Sequence, residues 1–249
     1  MTGPAQWSNH LWLTARLYEP LWRRRSVGLM TRGAFDTERE IEAMLSRLDL
    51  PPGSTVVDLG CSAGLYARSL ATAGMRVSAV DVSRVFLAEG ERLAEREGLA
   101  VRFVRADVHA LPFDDAAFDG AVSGGSLNEF VDPPRALREA ARVVKVGAPL
   151  WFMYAARAEG VIGRGLQALL RASGLRFPDP AQVDEWARDA GLTPERSERR
   201  GPLMFALYRR GAGLPPLAVS SPSPGWDRPT PRLNRRYNWE RRRDDERSA

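Results

Sequence analysis

Three aspartates carry the chemistry that this sequence most plainly offers. Asp58 closes the apolar run Val56-Val57, Asp81 closes Arg76-Val77-Ser78-Ala79-Val80, and Asp107 follows Val101-Arg102-Phe103-Val104 by three residues. Asp58 also opens the turn Leu59-Gly60-Cys61-Ser62-Ala63-Gly64, after which Leu65 to Ala71 runs at helical spacing. A strand, a glycine-spaced turn and a helix N-terminus form the βα unit that grips nucleotide-type ligands. Gly60 and Gly64 admit a sharp turn and a close approach to the backbone. Asp81, 23 residues beyond Asp58, stands where a carboxylate accepts the two hydroxyls of a ribose.

The spacing separates this turn from the dinucleotide fingerprint G-x-G-x-x-G, whose second and third glycines would fall on Ser62 and Leu65. The pattern D-x-G-x-S-x-G resembles motif I of the class I S-adenosylmethionine-dependent methyltransferases. A second pattern, D-x-x-x-L-P-F-x-x-x-x-F-D from Asp107 to Asp119, follows in the order and spacing of that family. The chain is most similar to its small-molecule branch, which includes ubiquinone and menaquinone biosynthesis enzymes, over about residues 55–155 and more weakly to 210. The resemblance implies S-adenosylmethionine as cofactor, bound by Asp58, Gly60, Ser62, Gly64, Asp81, Val82, Asp107, Val108 and Ser123. Asp58 is then expected to face the methionine amino end, and Asp107 the adenine amine. It also implies an α/β, Rossmann-like seven-stranded sheet, mostly parallel with an antiparallel last strand and helices on both faces.

A sulfonium methyl group is already activated, so the protein must chiefly align the acceptor and exclude water. Asn128 and Glu129 follow the fourth strand, where this family often carries acceptor-facing side chains. Glu129 is the candidate base and Asn128 a candidate for orienting the acceptor. Two histidines and one cysteine form no cluster at ligand spacing, so no metal is expected. Asp132-Pro133-Pro134 superficially resembles the D/N-P-P-Y motif of amino methyltransferases. It lies about nine residues past the strand end without a following aromatic, and reads as a helix cap. Lys145-Val146-Gly147-Ala148 departs from the family's Lys-Pro-Gly-Gly turn, a change confined to the turn.

The elements that position these groups follow from periodicity. Asp36 or Thr37 opens a helix with Ile41, Met44, Leu45 and Leu48 on one side. Further helices run from Val85 to Glu97 behind Ser83, from Pro133 to Val144, from Gly160 to Ser173, and from Asp179 or Pro180 to Ala190. Strands are expected over Phe118–Ser123 and Leu150–Tyr154, with a final pair over Leu192–Glu198 and Leu203–Tyr208. Three units result: a helical cap at 1–50, the methyltransferase-like domain at 51–210, and a disordered Pro/Arg-rich tail at 211–249. The tail holds eight arginines against five acids, so three of the five net positive charges lie there. The remainder has no electrostatic bias toward nucleic acid.

The segment 7–30 holds Trp7, Trp12 and Trp22 beside Leu11, Leu17, Tyr18 and Leu21, and Arg23-Arg24-Arg25 follows. It is either a helix packed on the domain or a cap over an apolar acceptor pocket, with Tyr18 and Trp22 against the substrate. The 160–173 helix is a lid or surface packing. A lone Cys61, no run near the roughly 18 apolar residues of a membrane span, and no signal-peptide pattern lead to a soluble, cytoplasmic expectation. The expected partner is a small, apolar or amphipathic acceptor such as a quinol or prenyl-lipid head group. Nucleic acid is not expected, and contact of the tail with an acidic membrane surface is left open. The alternatives are an RNA or protein methyltransferase using the basic tail, a catalytically silent cofactor-binding domain, and a nicotinamide oxidoreductase, which the missing glycines disfavour.

Overall fold

The structure, a computed structural model, describes residues 36–213. Tyr18, Trp22, the proposed cap segment before Asp36 and the tail beyond residue 213 lie outside the described residues. The chain runs α1 (Thr37–Leu48), β1 (Thr55–Leu59), α2 (Leu65–Thr72), β2 (Arg76–Asp81), α3 (Arg84–Arg96), β3 (Val101–Arg105) and β4 (Gly120–Gly124). A 3-10 turn at Ser126–Asn128 leads to α4 (Pro133–Val143), β5 (Pro149–Ala155), α5 (Val161–Arg171), α6 (Pro180–Asp189), β6 (Leu192–Arg200) and β7 (Leu203–Arg210).

The seven strands form one sheet in the order β3-β2-β1-β4-β5-β7-β6. The first five pair in parallel, and β7 runs antiparallel between β5 and β6. Strand order reverses between β1 and β4, the switch point at which open α/β sheets bind ligands beyond the strands' carboxyl ends.

Both faces of the sheet are covered, and alternation along each strand sorts the core. From β5, Leu150, Phe152 and Tyr154 join one cluster with Leu137 and Val143 of α4 and Val183 of α6. Trp151 and Met153 join the other with Met44 and Leu48 of α1 and Tyr66 and Leu70 of α2. β7 divides likewise, Met204, Ala206 and Tyr208 to the first and Leu203, Phe205 and Leu207 to the second. Helix α1 was placed with the N-terminal cap on sequence alone. Its Met44 and Leu48, 0% and 2% exposed, instead pack in the core of the sheet domain.

Helix starts follow the expected capping chemistry. Asp36, Ser83, Asp132 and Asp179 each accept a backbone N–H from the first turn of their helices, and Asp132 and Asp179 are each followed by proline. The Asp132-Pro133-Pro134 run is therefore a helix start.

Helix α5 departs from expectation. An amphipathic helix normally buries its apolar face. Here Val161, Ile162, Leu166 and Leu169 are 76%, 91%, 55% and 74% exposed, while Gln167 on the inner side is 7% exposed. Gln167 accepts from Ala158 N (2.9 Å) and donates to Ala156 O (2.8 Å), which fixes the helix with its apolar stripe outward.

Candidate active site

The turn after β1 is built by its own backbone and three side chains from elsewhere. Gly60 and Cys61 both donate to Val80 O at 2.9 Å, tying the turn to β2. Gly60 has φ +69°, and a Cβ there would stand 2.5 Å from Ser126 Cβ. Ser126 Oγ donates to Gly60 O at 2.6 Å, so the 3-10 turn after β4 clamps the turn after β1. Gly64, the N-cap of α2, has φ +79° and brings no capping side chain. Asp58 takes that role from the end of β1, accepting from Ala67 N at 3.0 Å. The motif I aspartate is thus a helix cap supplied by the preceding strand. Ser62, where the family pattern has glycine, has φ +49°. That conformation costs a residue with a Cβ on the order of 1–2 kcal/mol. Its N–H donates to Asp81 Oδ2 at 2.9 Å, which holds the strained residue in place.

Asp81 closes β2 and uses both oxygens. Oδ2 takes Ser62 N–H and Oδ1 takes Ser83 N–H at 2.8 Å. Through these two bonds the residue ties the turn after β1 to the start of α3. Val82 beside it is 41% exposed, an apolar surface at the strand tip.

Asp107 follows β3. Its Oδ1 accepts from His109 N (2.9 Å) and faces His109 Nδ1 (2.5 Å). His109 Nε2 accepts from Asp132 N at 3.1 Å, so the ring proton sits on Nδ1 and points at Asp107. Arg135 Nε donates to His109 O at 2.9 Å, completing a tie between this loop and the start of α4. Burial works against the Asp107 carboxylate, but the hydrogen bonds from His109 outweigh it and hold its pKa below the ordinary value. Both bonds from His109 use Oδ1. Val108 packs its side chain into the core at 7% exposure, so only its main chain belongs to the loop surface.

Two expected site residues are spent on the fold. Ser123 is fully buried, and its hydroxyl donates to Leu59 O at 2.9 Å across the β1–β4 pair. Asn128 was the candidate for orienting the acceptor. Its amide donates to Ala155 O (2.7 Å) and Arg176 O (2.5 Å), and its oxygen accepts from Ala155 N (2.8 Å). With both donors committed, Asn128 staples the 3-10 turn to the end of β5 and to the segment before α6. Glu129 closes the 3-10 turn, donating through its N–H to Ser126 O at 2.9 Å, and is half-buried.

Two features escaped the sequence pattern. Ser126 lies far from Gly60 in the chain, and only the β1–β4 pairing brings them together. Glu40 of α1, 1% exposed, accepts a hydrogen bond from Tyr66 of α2. Cys61 is free and buried, and burial, with Asp81 and Asp58 nearby, pushes its thiol well up. Among the described residues, no group of three or more His, Cys, Asp or Glu is placed to hold a metal ion. No helix among them is long and apolar enough to cross a membrane.

Strand tips spaced about 4.8 Å apart thus present Asp107, Asp81 and the Gly60–Gly64 turn in sequence across the sheet. Two carboxylates and a turn opening onto a helix N-terminus therefore stand side by side beyond the carboxyl ends of the strands, where open α/β sheets bind ligands. Residues 57–152 match the model of the methyltransferase domain family. A ubiquinone biosynthesis O-methyltransferase from Xanthomonas axonopodis pv. citri is 30% identical over 165 residues, 62% of this chain and 69% of that protein. The mitochondrial 2-methoxy-6-polyprenyl-1,4-benzoquinol methylase of Leishmania donovani is 41% identical over 92 residues. Those residues are 36% of this chain, and the chain spans only 31% of the Leishmania protein. The crystal structure of the [4+2]-cyclase SpnF superposes with a TM-score of 0.66 at 22% identity, covering 85% of this chain and 97% of that one. The chain belongs to the class I S-adenosylmethionine-dependent methyltransferases, with S-adenosylmethionine as methyl donor.

Proposed function

We propose that the protein transfers a methyl group from S-adenosylmethionine to a small apolar or amphipathic acceptor, with a quinol or prenyl-lipid head group as the leading class. The cofactor supplies an activated methyl on a sulfonium. Asp81 and Asp107 bind and orient the nucleoside, and the Gly60–Gly64 turn carries the amino-acid portion. Glu129, at the exit of β4, is the proposed acceptor-side base.

The observation that carries the acceptor class is α5. It follows β5 at the ligand-binding edge of the sheet and turns four large apolar side chains outward. An acceptor with a hydrocarbon portion finds there a surface that a polar metabolite or RNA would leave in water. The names of the Xanthomonas and Leishmania relatives point to the same class. The segment before Asp36, with its clustered Trp and Leu, is proposed as the cover of that pocket. A cytoplasmic location belongs to this proposal as well.

The test is incubation with methyl-labelled S-adenosylmethionine and, separately, a prenylated quinol in detergent, a total lipid extract, and RNA. Label is expected in the organic phase. Label in RNA or in protein alone would refute the acceptor class, and unchanged cofactor in every arm would refute methyl transfer.

A further inference from the structure

The stretch 156–175 leaves the sheet at its carboxyl edge and returns to it at a single residue. Asn128 donates to Ala155 O and Arg176 O and accepts from Ala155 N, and its own carbonyl accepts from Arg176 N at 2.8 Å. Helix α5 rides on this excursion, and Gln167 is its one buried side chain. At 3.6 residues per turn, Val161, Ile162, Leu166 and Leu169 occupy the half of the helix opposite Gln167, with only glycine and alanine between them. All four are exposed. Arg164 and Arg171, also exposed, line one flank. From Gly160 to Pro178 the charged residues are Arg164, Arg171 and Arg176, with no acid, whereas the rest of residues 36–213 holds 25 acids against 20 basic residues. The preceding acid, Glu159, is paired with Arg199 at 3.0 Å.

We propose that α5 docks the protein on an anionic lipid surface, its apolar half entering the headgroup boundary and its arginines meeting lipid phosphates. An outward apolar face with cationic flanks and no acid is the makeup of helices that lie in a membrane interface. With 11 residues, α5 is too short to span a bilayer. Arginine stems lie along apolar surface while the guanidinium reaches the headgroups, where it pairs with phosphate through two hydrogen bonds. Charge decides between this occupant and the chain's own N-terminal segment. Residues 1–35 hold five arginines against one acid, so they repel the flank of α5, and an anionic surface attracts both. RNA would meet the arginines and leave the apolar half in water. Because Asn128 staples both ends of the excursion, α5 stands at the edge of the sheet where the cofactor motifs lie. Docking on α5 therefore turns that edge toward the lipid.

Vesicle sedimentation of the full chain tests this, with vesicles of phosphatidylcholine alone and of phosphatidylcholine mixed with phosphatidylglycerol. Neither holds a methyl acceptor, so the outcome is separate from that of the labelling experiment. Wild type is expected to bind the anionic vesicles about tenfold or more tighter than the neutral ones, and added salt should narrow the gap. Ile162→Ser with Leu169→Ser should weaken binding to the anionic vesicles about tenfold or more. Arg164→Gln with Arg171→Gln should weaken it about fivefold for each arginine and leave neutral vesicles unaffected. Both variants change exposed side chains, and an unchanged urea midpoint shows that each is folded. If the serine variant unfolds, the arginine variant decides. A wild type that binds neither vesicle overturns the proposal. Variants that bind as wild type does also overturn it, and place the attachment in the tail or in residues 1–35. A serine variant that turns a dimer into a monomer without loss of vesicle binding overturns it in favour of a second copy of the chain.

Discussion

Replacing Asp81 with alanine tests the site at the residue that serves both loop and ligand. Its carboxylate accepts Ser62 N–H at 2.9 Å and Ser83 N–H at 2.8 Å, and is expected to accept two ribose hydroxyls. Hydrogen bonds to a charged group are worth about 1.5–3 kcal/mol each, so losing both hydroxyls costs about 3–6 kcal/mol of binding. That is roughly a 10²- to 10⁴-fold rise in the Kd of S-adenosylhomocysteine. The two amides also lose their acceptor. Asp81 is half-buried, so water replaces part of each bond and about 1 kcal/mol apiece is lost from stability. Ser62 suffers most, because the same bond holds it at φ +49°. Asp81→Asn keeps one acceptor oxygen and should fall between the two proteins in both measures. Titration calorimetry gives the affinities, and urea unfolding gives the stabilities. Glu129→Ala is the control, expected to lower turnover at saturating cofactor while leaving affinity alone. An Asp81→Ala protein that folds and binds within about threefold of wild type would refute the assignment of the ribose to β2.

Other positions give independent checks. Asn128→Ala removes three hydrogen bonds and leaves the Ala155 and Arg176 carbonyls and the Ala155 amide without their partner. It should destabilise the domain by about 2–4 kcal/mol in urea unfolding, and leave the per-molecule affinity for S-adenosylhomocysteine nearly intact. Asp119 is held down at about 2, burial being outweighed by hydrogen bonds from Lys145 and Thr55. Its contribution to stability is present above the unfolded-state value of 3.8 and is lost as pH falls toward 2. The difference in urea midpoint between wild type and Asp119→Asn should therefore shrink between pH 5 and pH 2.5, and a constant difference would contradict the linkage. Cys61 is buried with a raised thiol pKa, so a thiol reagent at neutral pH should label it only on unfolding. Rapid labelling of the native protein would contradict the packing of the turn.

The strand-turn-helix unit, the order of the three aspartates and the capped helix starts were legible because each is local. Alternating apolar residues, a glycine-spaced turn, and Asp or Ser before a helix are set by neighbours a few positions away. Asp36, Ser83 and Asp132 cap as their spacing implies. The antiparallel arrangement of the final strand pair came from the family resemblance, and the continuous apolar run of β7 fits a strand that serves both cores.

Partners distant in the chain were decided by the tertiary structure alone. Asn128 sits at a family position for acceptor contacts, but parallel pairing of β4 with β5 brings Ala155 within reach, and its amide is spent there. Asp58 reads as a ligand group, yet the Gly64 N-cap has no side chain, and the orphan amides of α2 draw the carboxylate in. The amphipathic pattern of α5 left open a lid or surface packing, and Gln167, bound to two backbone groups, sets the apolar stripe outward. Glu40 belongs to no motif in the sequence, and the packing of α1 on the sheet buries it against Tyr66. In each case local sequence establishes which hydrogen-bonding groups exist. Which of them meet depends on strand order and helix docking, since a polar group entering a core must take the partner that the fold brings to it.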